Sequence, residues 1–525
     1  MTKIVEGPVD KNQASGPSEP AMHERAIKQI VVVGGGTAGW MAAAALTRYL
    51  GNSGSKITLV ESEEIGTIGV GEATIPSITK FHRTLGLNEP ELIAATGASF
   101  KLGIEFIDWY RHGDRYFHPF GLLGQDVDGI GFHQIYLKLA GERRCAEMWR
   151  YSPCSVAAAA GRFGPPRHSI KSPSGGFPHA LHLDAKLYAA HLRKYAEQRG
   201  VTRIEGRIVD VLKRDETGFV DSIQLADGQR IGGDLFLDCS GGRALLIGKA
   251  LEVDYLDWRH HLPCNRAVVV PTANVGEPVP YTQVTAKAAG WQWRIPLQHR
   301  AGNGYVYSTD HTSDETAESV LLAGVVGAAL AAPNRISFRT GHRREFWKQN
   351  VVALGLSAGF LEPLESTAIH LIQTGIAKLL SMFPDRTFQP ALARAYNEQM
   401  VNAFQGVRDF ITLHYKATAR SDTSFWNDVR EMPIPDSLSE RIELFRSSGR
   451  FIRDENELFS LDSWVTVMLG QGIIPERYSP LVDAIDPVRL EVTAQRIRDQ
   501  IAAAVDAMPR HGEHLRNLAE ASQAA

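Results

Sequence analysis

The 525-residue chain has little of what would place a protein on a nucleic acid, in a membrane or among disulfide-stapled domains. Basic and acidic side chains almost cancel, 56 against 59, and a net charge of −3 offers no positive field to a phosphate backbone or an anionic bilayer. The longest apolar stretch, Val320 to Ala332, falls short of the roughly 20 residues that a membrane-spanning helix needs. Cysteine is scarce. Cys145, Cys154, Cys239 and Cys264 show neither CxxC nor metal-ligand spacing, so they read as free thiols in a reducing cytosol, and no metal site is expected. Residues 1–27 lack an apolar signal core and are polar and rich in Gly, Pro and Ser, which reads as a disordered leader. Internal repeats and a second nucleotide-binding fingerprint are missing too. A cytoplasmic protein of two or three structural units is expected.

What is present begins at Lys28. Lys28 to Val33 is a short β-branched run without polar alternation, as in a parallel strand buried on both faces. Gly34, Gly36 and Gly39 follow as GxGxxG, then a helical stretch through Leu46, then Lys56 to Glu61, a second strand ending in an acid 22 residues after Gly39. The first glycine allows a tight turn, the second lets the backbone approach a pyrophosphate, and the third packs helix on strand. The amides around Thr37 and Ala38 then face the phosphates at the positive end of the helix. Glu61 suits the two ribose hydroxyls and repels a 2′-phosphate. This unit alone does not separate FAD from NAD. Short strands follow at 202–211 and 221–225, another buried strand ends at Asp238-Cys239-Ser240-Gly241, and helical periodicity dominates from Gly375.

Five further phrases carry chemistry. Trp291-Gln292-Trp293-Arg294-Ile295-Pro296 sets two indoles on one face of a strand. Gly69-Val70-Gly71-Glu72-Ala73-Thr74-Ile75-Pro76 leads to Lys80 on the first turn of a helix. Gly359-Phe360-Leu361-Glu362-Pro363-Leu364-Glu365-Ser366-Thr367 leads into a helix start. Tyr116 to Gly121 and Asp462-Ser463-Trp464 supply aromatics. Read singly, each has an ordinary structural explanation: a solvated lysine, a helix cap, core aromatic rings. Together and in this order, over roughly Ile30 to Pro475, they resemble the flavin-dependent halogenases of the tryptophan halogenase family. The strand ending at Gly241 resembles the second strand-turn of flavoprotein monooxygenases, which decides for FAD.

The resemblance implies an α/β fold with an FAD-binding, Rossmann-like core of the GR2 monooxygenase type over 28–400. Substrate-binding antiparallel segments are interleaved at about 100–180 and 255–345, a helical region at 401–515 covers the substrate, and 516–525 is a flexible tail. It implies reduced FAD, O2 and chloride or bromide as reactants, with FAD held by Gly34, Gly36, Thr37, Ala38, Gly39, Glu61, Ala73, Ile208, Leu356 and Ile369. Halide falls at Thr367 and Ala368. Lys80 holds the hypohalous acid or forms a haloamine with it, and Glu365 tunes that amine or assists at the ring. Trp291, Trp293 and Pro296 wall the flavin off from organic substrate, while His118, Phe120 and Trp464 stack on an indole-like ring. The segment 449–460 contains no tyrosine and places Phe459 where an acid is expected, which disfavours free tryptophan and favours indole or a derivative. A separate flavin reductase is implied, and a homodimer is left open. An FAD-dependent aromatic hydroxylase and a catalytically silent FAD-binding protein are the alternatives.

Overall fold

Every residue of Gln29–Val33 after the first is buried, because this strand lies in the middle of a six-stranded sheet. In the computed structural model, which describes residues 25–51, 53–65, 71–164 and 178–524, the order is Trp347–Lys348, Val351–Ala353, Leu235–Asp238, Gln29–Val33, Lys56–Glu61, Thr202–Glu205. All pairings are parallel except the short Trp347–Lys348 edge. The helix Thr37–Leu50 follows the glycine turn and presents Ala42 to Ala45 inward, where small side chains let it approach the neighbouring helix Ala185–Glu197.

A second sheet of seven strands takes its members from 103–119 and 266–337, in the order Asn334–Ser337, Arg266–Thr272, Ala301–Tyr307, Gly290–Pro296, Thr282–Lys287, Gly103–Ile107, Arg115–Pro119. The Trp-x-Trp phrase lies in Gly290–Pro296 with neighbours on both sides, and only Arg294 is not buried. Trp293 pairs with Gly304, where an added Cβ would lie 2.1 Å from the indole, so glycine is what gives the ring its room. A three-stranded sheet, Gly71–Ala73, Ala180–Asp184 and Ser99–Lys101, rests against the same strand; Gly71 approaches Ile295, and Ser99 donates to the Pro296 carbonyl.

Helices dominate from Ala368 onward, beginning with Ala368–Ser381 and Pro390–Lys416. Residues 516–524, expected as a flexible tail, continue the helix His511–Ala524. Of the expected leader, residues 1–24 lie outside the described residues, as do Gly69 and Val70 of the glycine-rich phrase and Ala525. The four cysteines are free. Among the described residues no helix is long and apolar enough to cross a membrane, and no group of three or more His, Cys, Asp or Glu is placed to hold a metal ion.

Candidate active site

The glycine turn makes an open cradle. Gly34 adopts φ +110°, and a Cβ there would lie 2.3 Å from the Cys239 carbonyl oxygen; one on Gly39 would lie 1.8 Å from the Gly34 oxygen. At Gly36, by contrast, a Cβ would meet nothing within 4 Å. Gly36 caps the helix Thr37–Leu50 without a side-chain bond, which leaves first-turn amides to an incoming anion. The turn Gly355–Ser357 closes on the cradle: a Cβ on Gly355 would lie 2.8 Å from that of Ala38. Leu356 beside it is 44% exposed, an apolar surface free to take a flat ring. Glu61 ends its strand as expected but already accepts from Arg203 and lies 3.7 Å from Arg193. Ile208 follows Gly206, whose amide donates to the Glu61 carbonyl at 2.8 Å, while Ala73 is half-buried and Ile369 is turned into the core. Open space at Gly36, an uncapped helix start and an exposed Leu356 fit a flavin dinucleotide.

Lys80 does not join this site. Ile78, His82 and Leu85 form the buried stripe of Ser77–Leu85, and Lys80 falls on the opposite, exposed face, with no hydrogen bond or ion pair among the described residues. The lysine that is turned inward is Lys101, at the end of Ser99–Lys101. It is fully buried, donates to the Thr74 carbonyl at 3.0 Å and to Ser366 Oγ at 2.8 Å, and lies 5.3 Å from the centre of the Phe120 ring. Burial pushes its pKa down to about 7, against the pull of Glu365.

Glu365 is 1% exposed, in the turn Pro363–Glu365. His118 Nδ1 lies 2.9 Å from Oε2, and His414 Nε2 lies 2.9 Å from Oε1, off the line of a good hydrogen bond. Burial alone would raise the carboxyl pKa, but the two imidazoles outweigh it and bring it down to about 2. Ser366 follows with φ +59°, and Thr367 then caps Ala368–Ser381 without a side-chain bond. Thr367 Oγ1 is buried and has no partner among the described residues, so the Thr367–Ala368 helix start has donors to spare.

The aromatic wall differs from expectation. Phe459, buried, stacks on Phe410 at 3.7 Å and lies 6.4 Å from the His118 ring. Trp464 stands a layer behind. Its ring is fully buried, stacked on Phe451 at 4.9 Å and edge-on to Phe410, and its Nε1 donates to Glu457 at 2.9 Å. The helix Leu461–Gly470 turns it into the protein, so the rings beside His118 are Phe410, at 5.5 Å, and Phe459, and not Trp464.

Trp291 and Trp293 lie 5.9 Å apart, and Trp291 Nε1 donates at 3.0 Å to both Glu362 and Tyr415. Glu362 is buried, and that burial pushes its carboxyl up to about 7. The folded chain therefore keeps this proton until about pH 7, whereas the unfolded chain releases it near 4.5, so the native state loses stability as pH rises across that window. Glu362→Gln has no proton to lose, and its Tm is expected to vary less between pH 4.5 and 7 than that of the wild type; parallel curves would contradict the assignment.

Lys101, His414 and Glu362 escape a reading built on phrases. A signal existed for the first: Lys101 is the lone charge in Ala98-Ser99-Phe100-Lys101-Leu102-Gly103-Ile104, an apolar run in which a lysine must be buried or break the strand.

A dinucleotide cradle beside a buried centre of lysine, carboxylate and imidazoles, walled by aromatics, defines a flavoprotein enzyme. The tryptophan halogenase family model matches residues 29–487, and the chain belongs to that family. It is 38% identical to tryptophan 6-halogenase SttH of Streptomyces toxytricini, over 94% of this chain and 98% of the relative. Its fold is similar to that of a flavin-dependent halogenase from Xanthomonas campestris, with TM-score 0.91, 47% identity, and 94% of this chain and 99% of the other covered. A flavin-dependent halogenase from Brevundimonas sp. BAL3 matches with TM-score 0.90 at the same identity and coverage. The protein is a flavin-dependent halogenase, an oxidoreductase that uses FAD in its reduced form and a halide to halogenate an aromatic ring.

Proposed function

We propose that the protein chlorinates or brominates indole or a substituted indole, using O2 and FADH2 delivered by a separate reductase in the cytoplasm. Lys101, and not Lys80, directs the activated halogen. The observation that carries this is the buried Lys101 ammonium, two of whose three hydrogens go to Thr74 and Ser366, which leaves one for a ligand.

Bound FAD, once reduced, supplies the reducing equivalents with which O2 oxidises the halide. The chain's residues do the rest. The Thr367 and Ala368 amides hold the halide at a helix start. Trp291, Trp293 and Pro296 keep organic substrate from the flavin, and the third Lys101 hydrogen holds hypohalous acid over the ring. Because its pKa lies near 7, the amine serves as a hydrogen-bond donor or as a nucleophile toward halogen without a large cost in either state. Phe120, His118 and Phe459 clamp the ring so that one carbon faces the amine.

The segment 449–460 carries no tyrosine, and Phe459 meets the ring with an apolar face, which supports an indole without an amino-acid side chain over free tryptophan. Mass spectrometry of a panel of indole, substituted indoles and free tryptophan, with a reductase, O2 and each halide, tests this. Halogenated indoles are expected, with free tryptophan slow or unreacted. Hydroxylated products independent of halide would favour the aromatic hydroxylase. With NADH alone and no reductase, turnover is expected to be absent, since one dinucleotide fingerprint serves one cofactor.

A further inference from the structure

We propose that His511, at the start of the C-terminal helix His511–Ala524, is a positioning residue for Lys101: its imidazole fixes the Phe100 amide and so aims the lysine that follows. This rests on the reading of Lys101 above.

Ser99–Lys101 is an edge strand. It pairs with Ala180–Asp184 on one side only, with Phe100 opposite Leu181. Leu181 turns its own amide and carbonyl to Thr74, away from Phe100, so the Phe100 amide points off the open edge. Along that edge runs Pro278-Val279-Pro280, in which the two prolines have no N–H to give. Leu102 still reaches this segment and donates to the Pro280 carbonyl at 2.8 Å. Phe100 reaches it only through His511, which lies 411 residues further along the chain and is 1% exposed. The Phe100 amide donates to Nε2 at 3.2 Å, and Nδ1 lies 2.7 Å from the Pro278 carbonyl oxygen.

These partners fix the hydrogens. An amide only donates, so Nε2 is bare, and a carbonyl only accepts, so Nδ1 carries the hydrogen. One neutral tautomer satisfies both, and burial, which pushes the His511 pKa down to about 4, preserves it. Without that acceptor the buried Phe100 amide would be left unpaired, and the strand would shift to satisfy it.

Such a shift reaches Lys101 because side chains alternate along a strand. The Phe100 ring lies toward the C-terminal helix, stacked on Phe163 at 3.9 Å and 5.5 Å from the His514 ring. Lys101 points the other way, to Thr74, Ser366 and the Phe120 face. Ser99 is held independently: its hydroxyl donates to the Pro296 carbonyl and meets His182 at 3.0 Å. His511 bonds to Phe100, Pro278 and Gly161, and to no residue of the flavin cradle. Its loss therefore falls on the aim of the amine, and misplacing a reacting group by about 1 Å costs on the order of 10²-fold.

The test compares His511→Phe, which keeps a ring and loses both bonds, with His511→Gln, whose amide can accept from Phe100 and donate to Pro278. Each is assayed with a reductase, O2, bromide and whichever indole of the panel the wild type brominates fastest. Flavin titration, KM for the indole, kcat and bromoindole formed per reduced flavin consumed are measured. His511→Phe is expected to bind FAD and indole within about twofold of the wild type and to lose about 10²-fold in kcat. Flavin consumption continues, so product per flavin falls with kcat. His511→Gln is expected to recover most of that loss. A wild-type kcat in the Phe variant would overturn the proposal, and so would a Gln variant no better than Phe. A loss carried by KM or flavin binding instead of kcat would also overturn it, since that is what general loosening produces. Should His511→Phe fail to fold, His511→Asn, too short to bridge both partners, is set against His511→Gln, and equal yields per flavin would sink the idea. The Lys101 reading fails separately. An active Lys101→Met removes that reading and this proposal with it, whereas an inactive Lys101→Met beside a fully active His511→Phe removes the proposal alone.

Discussion

Lys101→Met is expected to bind FAD as the wild type does and to lose halogenation by about 10³-fold or more, the scale of a group that acts both as proton donor and as electrostatic anchor. Methionine fills the same slot beside Phe120 and removes a charge that burial makes costly, so folding is not threatened. Lys80→Met is the contrasting variant: its side chain is exposed, and activity within a factor of about two is expected. The measurement is halogenated indole formed in a single turnover with chemically reduced FAD, beside a flavin titration. An active Lys101→Met or an inactive Lys80→Met would reverse the assignment. Stability gives an independent check with a defined sign. The Lys101 pKa is lowered from 10.5 to about 7 on folding, so between those values the unfolded chain binds more protons and the wild type gains stability as pH rises. Lys101→Met lacks that gain, and its stability advantage over the wild type is expected to shrink from pH 7 upward.

The difference between Lys80 and Lys101 shows what a sequence discloses here. Repetitive local rules are legible: the apolar run at Gln29–Val33, the glycine spacing and the strand Lys56–Glu61 each follow from chain-local sterics and burial, and the structure has them in place. Trp291 and Trp293 share a face because strand periodicity requires it. The centre of the site obeys no such rule. Lys101 sits in a three-residue strand whose partner begins 79 residues later at Ala180, and its hydrogen-bond acceptor Ser366 is 265 residues away. Which lysine is buried is decided by packing between segments, and a phrase such as Gly71 to Pro76 identifies the neighbourhood without saying which amine enters it. Lys101 does enter it, through the Thr74 carbonyl. The same holds for Trp464 and Phe459: five residues apart, they exchange layers because one opens a helix that rotates its ring inward.

Glu365→Gln is expected to retain FAD and lose about 10²–10³-fold in kcat. The amide matches the carboxylate in size but brings no negative charge to the His118 and His414 rings, each 2.9 Å away. Lys101 also loses the neighbouring negative charge that opposes its desolvation. The acid limb of stability supplies a second readout. Folding lowers the Glu365 pKa from 4.5 to about 2, so its stabilising contribution is complete above about pH 4.5 and is lost as pH falls toward 2. Glu365→Gln never has that contribution. The gap in Tm between wild type and variant should therefore be widest near neutrality and narrow below pH 4.5, measured by thermal unfolding at fixed ionic strength. A variant with wild-type turnover would remove Glu365 from the chemistry. A Tm gap that stayed constant from pH 7 to 3 would mean that the carboxylate is not held ionised by its two imidazoles, and the charge relation between Lys101, Glu365 and His118 would have to be redrawn.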